Sequence, residues 1–171
     1  MTGPSHTPSG EALTDLILET FRLNGRLLAA GDELVSELGL TSARWQVLGA
    51  MAVAPAPLPI AHIARNMGLT RQSVRRLVDE MARDGLVRLA SNPHHARAKL
   101  VLPTEAGKRA FADAHKRQAP WANAVAKGLA RRDIEAAHRM LAMIRARIER
   151  LSNARQELAR QELVADQLKR S

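Results

Sequence analysis

The chain has 171 residues, of which 46% are hydrophobic and 25% charged, a composition typical of one soluble domain with an extension. It contains no cysteine, which excludes disulfides, thiolate chemistry and Cys-ligated zinc. Lys and Arg number 26 against 17 acidic residues, a net charge of +9, and residues 61–117 alone carry +7. This excess favours a polyanionic partner, with a solvated basic surface as the alternative. With only two Phe, two Trp and no Tyr, base stacking on single strands is disfavoured and duplex DNA is favoured.

The N-terminus is expected to carry no structure or targeting signal. Residues 1–10 have neither the basic nor the apolar part of a signal peptide, and no apolar run approaches the roughly 20 residues that cross a bilayer. We therefore expect a cytoplasmic protein with a short disordered lead over residues 1–10 and no membrane partner.

Residues 11–39 have the apolar spacing of an amphipathic helix that ends at Gly39. Thr41 or Ser42 can cap a second helix, which carries Trp45. Three prolines at positions 55, 57 and 59 then exclude helix and indicate a connector.

Two short helices in succession follow, and they predict a helix-turn-helix. The first covers Ile60 to Met67, Gly68 and Leu69 form the turn, and Thr70 caps a helix from Arg71 to about Asp84. Residues 86–89 and 99–102 then alternate as two strands. The helix-turn-helix with its hairpin predicts a winged helix.

The second of these helices has one apolar face, formed by Val74, Leu77, Val78 and Met81, which must point to the core. Its basic and amide side chains then face outwards near the N-terminal end, where a helix that enters the major groove needs them. Asp79 and Glu80 come later and should stand clear of the DNA backbone. We predict DNA contacts from Thr70, Arg71, Gln72, Ser73, Arg75 and Arg76 on the helix and from Arg97 and Lys99 on the wing.

The C-terminal third predicts helices that extend beyond the winged helix. Thr104 opens one helix, which Pro120 should kink or restart. From Asp133 an apolar heptad runs to Leu168, which is too long for a small domain and favours pairing with the first helix and with a second chain. The alternative is a long helix packed on its own core.

Residues 40–107 resemble MarR-type winged-helix transcriptional regulators. The matching pieces are Leu40-Thr41, Trp45-Gln46-Val47-Leu48, Ile63-Ala64, Met67-Gly68-Leu69, Val74, Leu77-Val78, Gly85-Leu86-Val87, Asn92-Pro93, Arg97 and Thr104-Glu105-Ala106-Gly107. The resemblance implies a mainly α fold with a small β-hairpin wing, in which outer helices dimerise the chain. The expected parts are an N-terminal dimerisation helix (11–39), a winged helix-turn-helix (40–103) and C-terminal dimerisation helices (104–171).

The same resemblance implies a function. Such regulators are homodimers that bind pseudo-palindromic operators, usually as repressors, with Arg97 in the minor groove, and a small aromatic acid or phenolic compound often releases them. Two positions depart from the family pattern: His95 stands where an Asp often holds the wing Arg, and Pro103 replaces a Leu. The expected effector-binding residues are Phe21, Arg22, Arg26, Trp45 and His62, with core packing (Trp45) and surface or dimer salt bridges (Arg22, Arg26) as alternatives.

Other function classes have less support. Six histidines allow a zinc-sensing site from His115 and His138, but solvated histidines are the default, so we expect no metal and no cofactor. No phosphate loop, HExxH or GxSxG motif occurs, so we do not expect an enzyme. The main competitor is a winged-helix module that binds an acidic protein without specific DNA binding. A membrane-surface role of the C-terminal helix is weaker, because its apolar seam is narrow.

Overall fold

Helices make up most of the fold, and a small sheet interrupts them. The computed structural model describes residues 6–95 and 97–169, with side chains as far as residue 162. Its elements are α1 (Pro8–Val35), α2 (Ser42–Ala52), β1 (Leu58–Pro59), α3 (Ile60–Met67), α4 (Arg71–Arg83), β2 (Val87–Ala90), β3 (Leu100–Pro103), α5 (Glu105–Ala126) and α6 (Arg131–Lys169). The chain divides into two compact units, Met1–Ala122 and Asn123–Ser171.

The first helix begins earlier than its sequence predicts. Thr7 caps α1 by accepting a hydrogen bond from the Gly10 N–H at 3.1 Å, and Pro8 stands in the first turn, where its missing N–H costs nothing. The lead predicted as disordered over residues 1–10 is therefore wrong from Pro8 onwards, while residues 1–5 lie outside the described residues. The last predicted turn, Ser36–Leu38, is a 3-10 helix.

A close crossing fixes α1 against α2. The Ser42 N–H donates to Asp32 Oδ1 at 2.6 Å, and Thr41 caps α2 by accepting from the Arg44 N–H at 3.3 Å. At Gly31 a Cβ would lie 2.6 Å from Ser42 Oγ, so a glycine is what allows the two helices to approach. Asp32, which lies in α1 and is not one of the predicted capping residues, thus accepts a hydrogen bond from the first residue of α2.

The helix-turn-helix forms as predicted. Gly68 ends α3 with φ of 65°, a left-handed conformation that favours glycine, and α4 begins two residues after Leu69. Val74, Val78 and Met81 are 0% exposed and Leu77 packs partly buried against the same core. The inward orientation of the apolar face of α4 is therefore confirmed.

The sheet has three strands, where the sequence predicts two. Its order is β1-β3-β2 and all pairs are antiparallel, so that Val101 of β3 lies between Leu58 and Leu89. The missed strand lies in the proline-rich connector. Pro59 is tolerated there because β1 is an edge strand, where a residue without an N–H breaks no ladder.

Helix α5 runs through Pro120 as one helix, so of the two predicted outcomes, a kink or a restart, the restart does not occur. Proline removes the hydrogen bond to the carbonyl of residue 116. Both Lys116 and Pro120 are exposed, and water can therefore bond that carbonyl. The start of α5 is tied to the exit of α4, because Thr104 Oγ1 donates to the Gly85 carbonyl at 2.6 Å and accepts from the Gly107 N–H at 3.1 Å.

Helix α6 makes up most of the second unit. It has 39 residues, which corresponds to about 58 Å at the standard rise, and it begins two residues before the predicted Asp133. In the described part of the chain, none of the helices combines the length and the apolar content that crossing a membrane requires.

We predict that Gly107→Ala destabilises the first unit, because the added Cβ would overlap the Leu86 carbonyl oxygen, a backbone atom held by the Thr104 N–H. The free energy of unfolding should fall by about 1–3 kcal/mol, measured as a lower urea midpoint with an unchanged slope. The control is Gly25→Ala in α1. The Cβ added there meets nothing within 4 Å, so this variant should raise the free energy of unfolding by about 0.5–1 kcal/mol. Equal midpoints for wild type and Gly107→Ala would contradict the close approach.

Candidate nucleic-acid interface

The N-terminal end of α4 is open to solvent. Thr70 Oγ1 accepts from the Ser73 N–H at 3.1 Å and lies 2.8 Å from Ser73 Oγ. Within the described residues, the N–H groups of Arg71 and Gln72 have no acceptor. The positive end of the helix dipole is therefore available to an anion such as a phosphate.

The predicted DNA-contacting side chains are all exposed. This follows from helix geometry: the burial of Val74, Val78 and Met81 turns the opposite side of α4 to solvent. The exposed residues are Thr70, Arg71, Gln72, Ser73, Arg75 and Arg76 on α4 and Arg97 and Lys99 on the wing.

A groove of about 650 Å³ separates α4 from the wing, the loop that joins β2 to β3. Arg71, Gln72 and Arg75 line its α4 side, while Arg97 and Lys99 line its wing side. Ile60, Ala61 and Leu89 contribute apolar surface. Five of the eight predicted residues therefore meet on one concave, cationic surface, although more than 20 residues separate the two sets in the chain.

The other predicted residues lie on the opposite flank of α4. Thr70, Ser73 and Arg76 line a second groove of about 440 Å³, which Gln72 and Arg75 share with the first. The N-terminal half of α4 is thus a ridge between two grooves, and it presents cations and hydrogen-bond donors on both sides.

The acidic residues of α4 have structural partners that the sequence reasoning missed. Asp79 Oδ2 lies 3.1 Å from Arg75 Nε, and both side chains are about half exposed or more. Arg44 of α2, whose side chain is 19% exposed, lies 2.8 Å from Asp84 and 3.7 Å from Glu80. Arg44 therefore ties the C-terminal end of α4 to α2. Asp79 also lines the second groove, and the expectation that it stands clear of the DNA backbone stays a prediction.

Hydrogen bonds within the wing hold its tip in place. Asn92 Oδ1 accepts from the His94 N–H at 3.0 Å, and the Asn92 carbonyl accepts from the His95 N–H at 3.2 Å. The His95 carbonyl in turn accepts from the Ala98 N–H at 2.9 Å. His95 lines the 650 Å³ groove beside Arg97. Among the described residues Arg97 has no carboxylate partner.

A separate cavity of about 290 Å³ lies between α1, α2 and α5. Trp45, Phe111 and Trp121 line it together with Gln46, His115 and Gln118, and the rings of Phe111 and His115 stack with their centres 6.3 Å apart. This is an aromatic cavity with a few hydrogen-bonding groups, as small-molecule sites commonly are.

Of the five predicted effector residues, only Trp45 lines this cavity. Phe21 is 69% exposed, Arg22 pairs with Glu19 at 3.3 Å, and Arg26 and His62 are exposed. The reason is helical phase: Leu27, Gly31 and Leu34 form the face of α1 that lines the cavity, and residues 21, 22 and 26 point elsewhere. Phe111 and Trp121 were missed because only folding brings α5 against α2.

Within the described residues, no three His, Asp or Glu side chains are grouped to hold a metal ion.

The comparisons with known proteins agree with this architecture. The family model of the MarR family matches residues 38–98, which include the whole helix-turn-helix. An uncharacterized protein of Mycobacterium tuberculosis is 34% identical over 99 residues, 58% of this chain and 68% of that protein. The transcriptional activatory protein BadR of Rhodopseudomonas palustris is 27% identical over 103 residues, 59% of each chain.

Solved structures are similar over most of the chain. A MarR-family transcriptional regulator from Rhodococcus sp. RHA1 has a TM-score of 0.69 and 26% identity, covering 82% of this chain and 96% of its own. CouR from Rhodococcus jostii RHA1, bound to p-coumaroyl-CoA, has a TM-score of 0.68 and 26% identity, and the match covers 76% of this chain and 91% of CouR. MosR of Mycobacterium tuberculosis, in complex with DNA, has a TM-score of 0.60 and 25% identity, and the match covers 75% of this chain and 97% of MosR.

The winged helix, its cationic ridge and these similarities lead to one identification: the chain belongs to the MarR family of transcriptional regulators.

Proposed function

We propose that the protein is a homodimer that binds a pseudo-palindromic operator in duplex DNA, represses transcription there and is released by a small aromatic compound. The observation that carries the DNA-binding part is the 650 Å³ groove, where cations of α4 and of the wing face the same space. Such a surface can contact the phosphates of both DNA strands, because a helix in the major groove leaves the wing beside the neighbouring backbone.

Helix α4 would read the bases. Its exposed N-terminal turns carry Arg71, Gln72, Arg75 and Arg76, and arginine forks bond guanine while glutamine pairs with adenine. The ion pair between Arg75 and Asp79 at 3.1 Å orients that guanidinium and offsets part of its charge, so Arg71 and Arg76 are the stronger candidates for base contacts. Arg97 and Lys99 would bind the minor groove and phosphates from the wing. MosR, 25% identical, is a transcriptional regulator in complex with DNA, which supports DNA as the partner of this chain.

The homodimer is supported by exposed apolar surface on the outer helices. Of the eighteen exposed large apolar side chains among the described residues, seven belong to α1 and seven to α6. Soluble monomers rarely expose large apolar patches, and the exposed side chains here are concentrated on two helices. On α6 the seam follows the heptad through Leu141, Ile148 and Leu151, of which Leu151 is 66% exposed. A second copy of the chain is the occupant that such a periodic seam fits.

We predict that the double variant Leu141→Asp/Ile148→Asp is a monomer in analytical ultracentrifugation, whereas the wild type sediments as a dimer. Two carboxylates in the seam would have to be buried without partners. The control is Ala146→Asp, because Ala146 is exposed on the opposite face of α6 and should leave the dimer intact. A monomeric wild type would contradict the homodimer.

The DNA-binding proposal is tested by selecting bound duplexes from a random pool. A shared pseudo-palindromic sequence, bound by two chains, is the expected result. Arg76→Ala should then cost about 1–3 kcal/mol on the selected duplex and relax its preferred bases, measured by fluorescence anisotropy. Arg139→Ala, which removes an exposed arginine of α6, is the charge-matched control and should change little.

A different outcome favours the competing function. If binding to random duplexes falls steeply with salt and no tighter sequence is recovered, the basic face serves electrostatic contact alone, as expected of a module that binds an acidic protein. If Arg76→Ala weakens binding equally on every sequence, Arg76 contacts phosphate and α4 reads bases with other residues.

Repression is the direction that the family resemblance favours. A dimer that covers an operator within a promoter prevents polymerase from binding there. BadR, 27% identical, is named a transcriptional activatory protein, so activation is the alternative direction.

The cavity between α1, α2 and α5 supports release by an effector. CouR, 26% identical, is bound to p-coumaroyl-CoA. The cavity here, at about 290 Å³, lies at the lower end of ligand-site volumes and suits a single-ring compound. Its lining residues include three aromatic rings and the amides of Gln46 and Gln118, and no Arg or Lys. Of the two expected effector classes, a neutral phenol is therefore favoured over an aromatic acid.

We predict that methyl p-coumarate quenches tryptophan emission, because both tryptophans of the chain, Trp45 and Trp121, line the cavity. It should also weaken DNA binding, while the p-coumarate anion should act only at higher concentration, since no Arg or Lys lines the cavity to pair with its carboxylate. Gln118→Leu should reduce the quenching and Arg22→Ala should not. If neither compound changes emission or DNA affinity, the effector part is wrong and the DNA-binding part stands.

A further inference from the structure

We propose that His95 is a DNA-contacting residue whose protonation accompanies binding, so that the affinity for DNA rises as the pH falls. This inference rests on the proposed DNA-binding function, and it adds a pH-dependent contact to the wing. Neither the family pattern, which often has Asp here, nor the predicted contact set includes it.

The position of His95 is set by the backbone. Its N–H donates to the Asn92 carbonyl at 3.2 Å and its carbonyl accepts from the Ala98 N–H at 2.9 Å. These bonds anchor the residue on both sides, and the side chain is exposed and lines the 650 Å³ groove. His94, the neighbouring residue, is also exposed but does not line that groove.

The charged groups around His95 are cationic. The same groove is lined by two cations of the wing, Arg97 and Lys99, and by two cations of α4, Arg71 and Arg75. The described residues that α3 and β2 contribute are apolar, namely Ile60, Ala61 and Leu89. No Asp or Glu of the described residues lines this groove; Asp79, which pairs with Arg75 at 3.1 Å, lines the other groove.

This arrangement couples protonation to binding. When DNA enters the groove, its phosphates favour the imidazolium, which then donates from both ring nitrogens. Imidazole is the side chain that ordinarily changes charge between about pH 5 and 8, so binding takes up a proton in that range.

The experiment measures DNA affinity at two pH values by anisotropy of a labelled random-sequence duplex of about 30 base pairs, roughly three helical turns. For the wild type the dissociation constant should fall about threefold or more from pH 8 to pH 6. The plot of log affinity against log salt should be steeper at pH 6 by about 0.9 for each protomer, because one more phosphate is neutralised.

Three variants separate His95 from the other histidines. His95→Gln should lose most of the pH effect and the change in salt slope. His95→Lys carries a permanent charge and should bind at pH 8 about as tightly as the wild type does at pH 6. His94→Gln and His138→Gln, both at exposed positions outside the groove, are the matched controls and should behave like the wild type.

Two results overturn the proposal in distinguishable ways. If the wild type binds the duplex equally at both pH values, or His95→Gln keeps the full pH effect, then His95 is not the titrating contact and the DNA-binding function is unaffected. If the wild type binds no duplex at either pH, the proposed function fails, and the role of His95 fails with it.

Discussion

The packing of the apolar face of α4 against the core is the interaction on which the rest of the structure depends. Val74, Val78 and Met81 are fully buried, and burying each such side chain contributes about 1.5–3 kcal/mol. Because a helix has two opposite faces, this burial also determines which side chains reach solvent. Arg44 adds a second restraint by pairing with Asp84 and Glu80 at the far end of α4. The cationic ridge is therefore held at both its inner face and its C-terminal end.

The central strand β3 plays the same part for the wing. It pairs with β1 on one side and β2 on the other, and Val101 in its middle is fully buried. Lys99 directly precedes β3, and Arg97 and His95 lie a few residues further back. A packed strand and the two turns around Asn92 thus position a loop that has little core of its own. Loops that carry function on a rigid scaffold are common for this reason.

The outer helices α1 and α6 differ from α4, because many of their large apolar side chains are exposed. Helix α1 keeps one face against α2, through Asp32 and the close approach at Gly31, while Leu13, Leu16 and Leu23 remain exposed. In the second unit, α6 keeps its heptad seam exposed as well. A single chain therefore leaves apolar surface uncovered, and a second copy would cover it. The aromatic cavity is lined by α1, α2 and α5, so an occupant of it would contact a helix of the proposed dimer interface and α2 of the winged helix.

The sequence by itself determined the helix-turn-helix, the orientation of α4 and the exposed arginines, because helical periodicity and the Gly68 turn are local properties. It also indicated the long C-terminal helix from its heptad. Only the tertiary structure decided what depends on contacts between distant segments. Strand β1 exists because β3 is there to pair with it, and the prolines around it hide that pairing in the sequence. The five effector candidates were chosen along the chain, but helical phase turns Phe21, Arg22 and Arg26 away and brings in Phe111 and Trp121 from α5. The place of His95 beside Arg71 and Arg75 likewise arises from folding the wing against α4, which no periodicity in the sequence encodes.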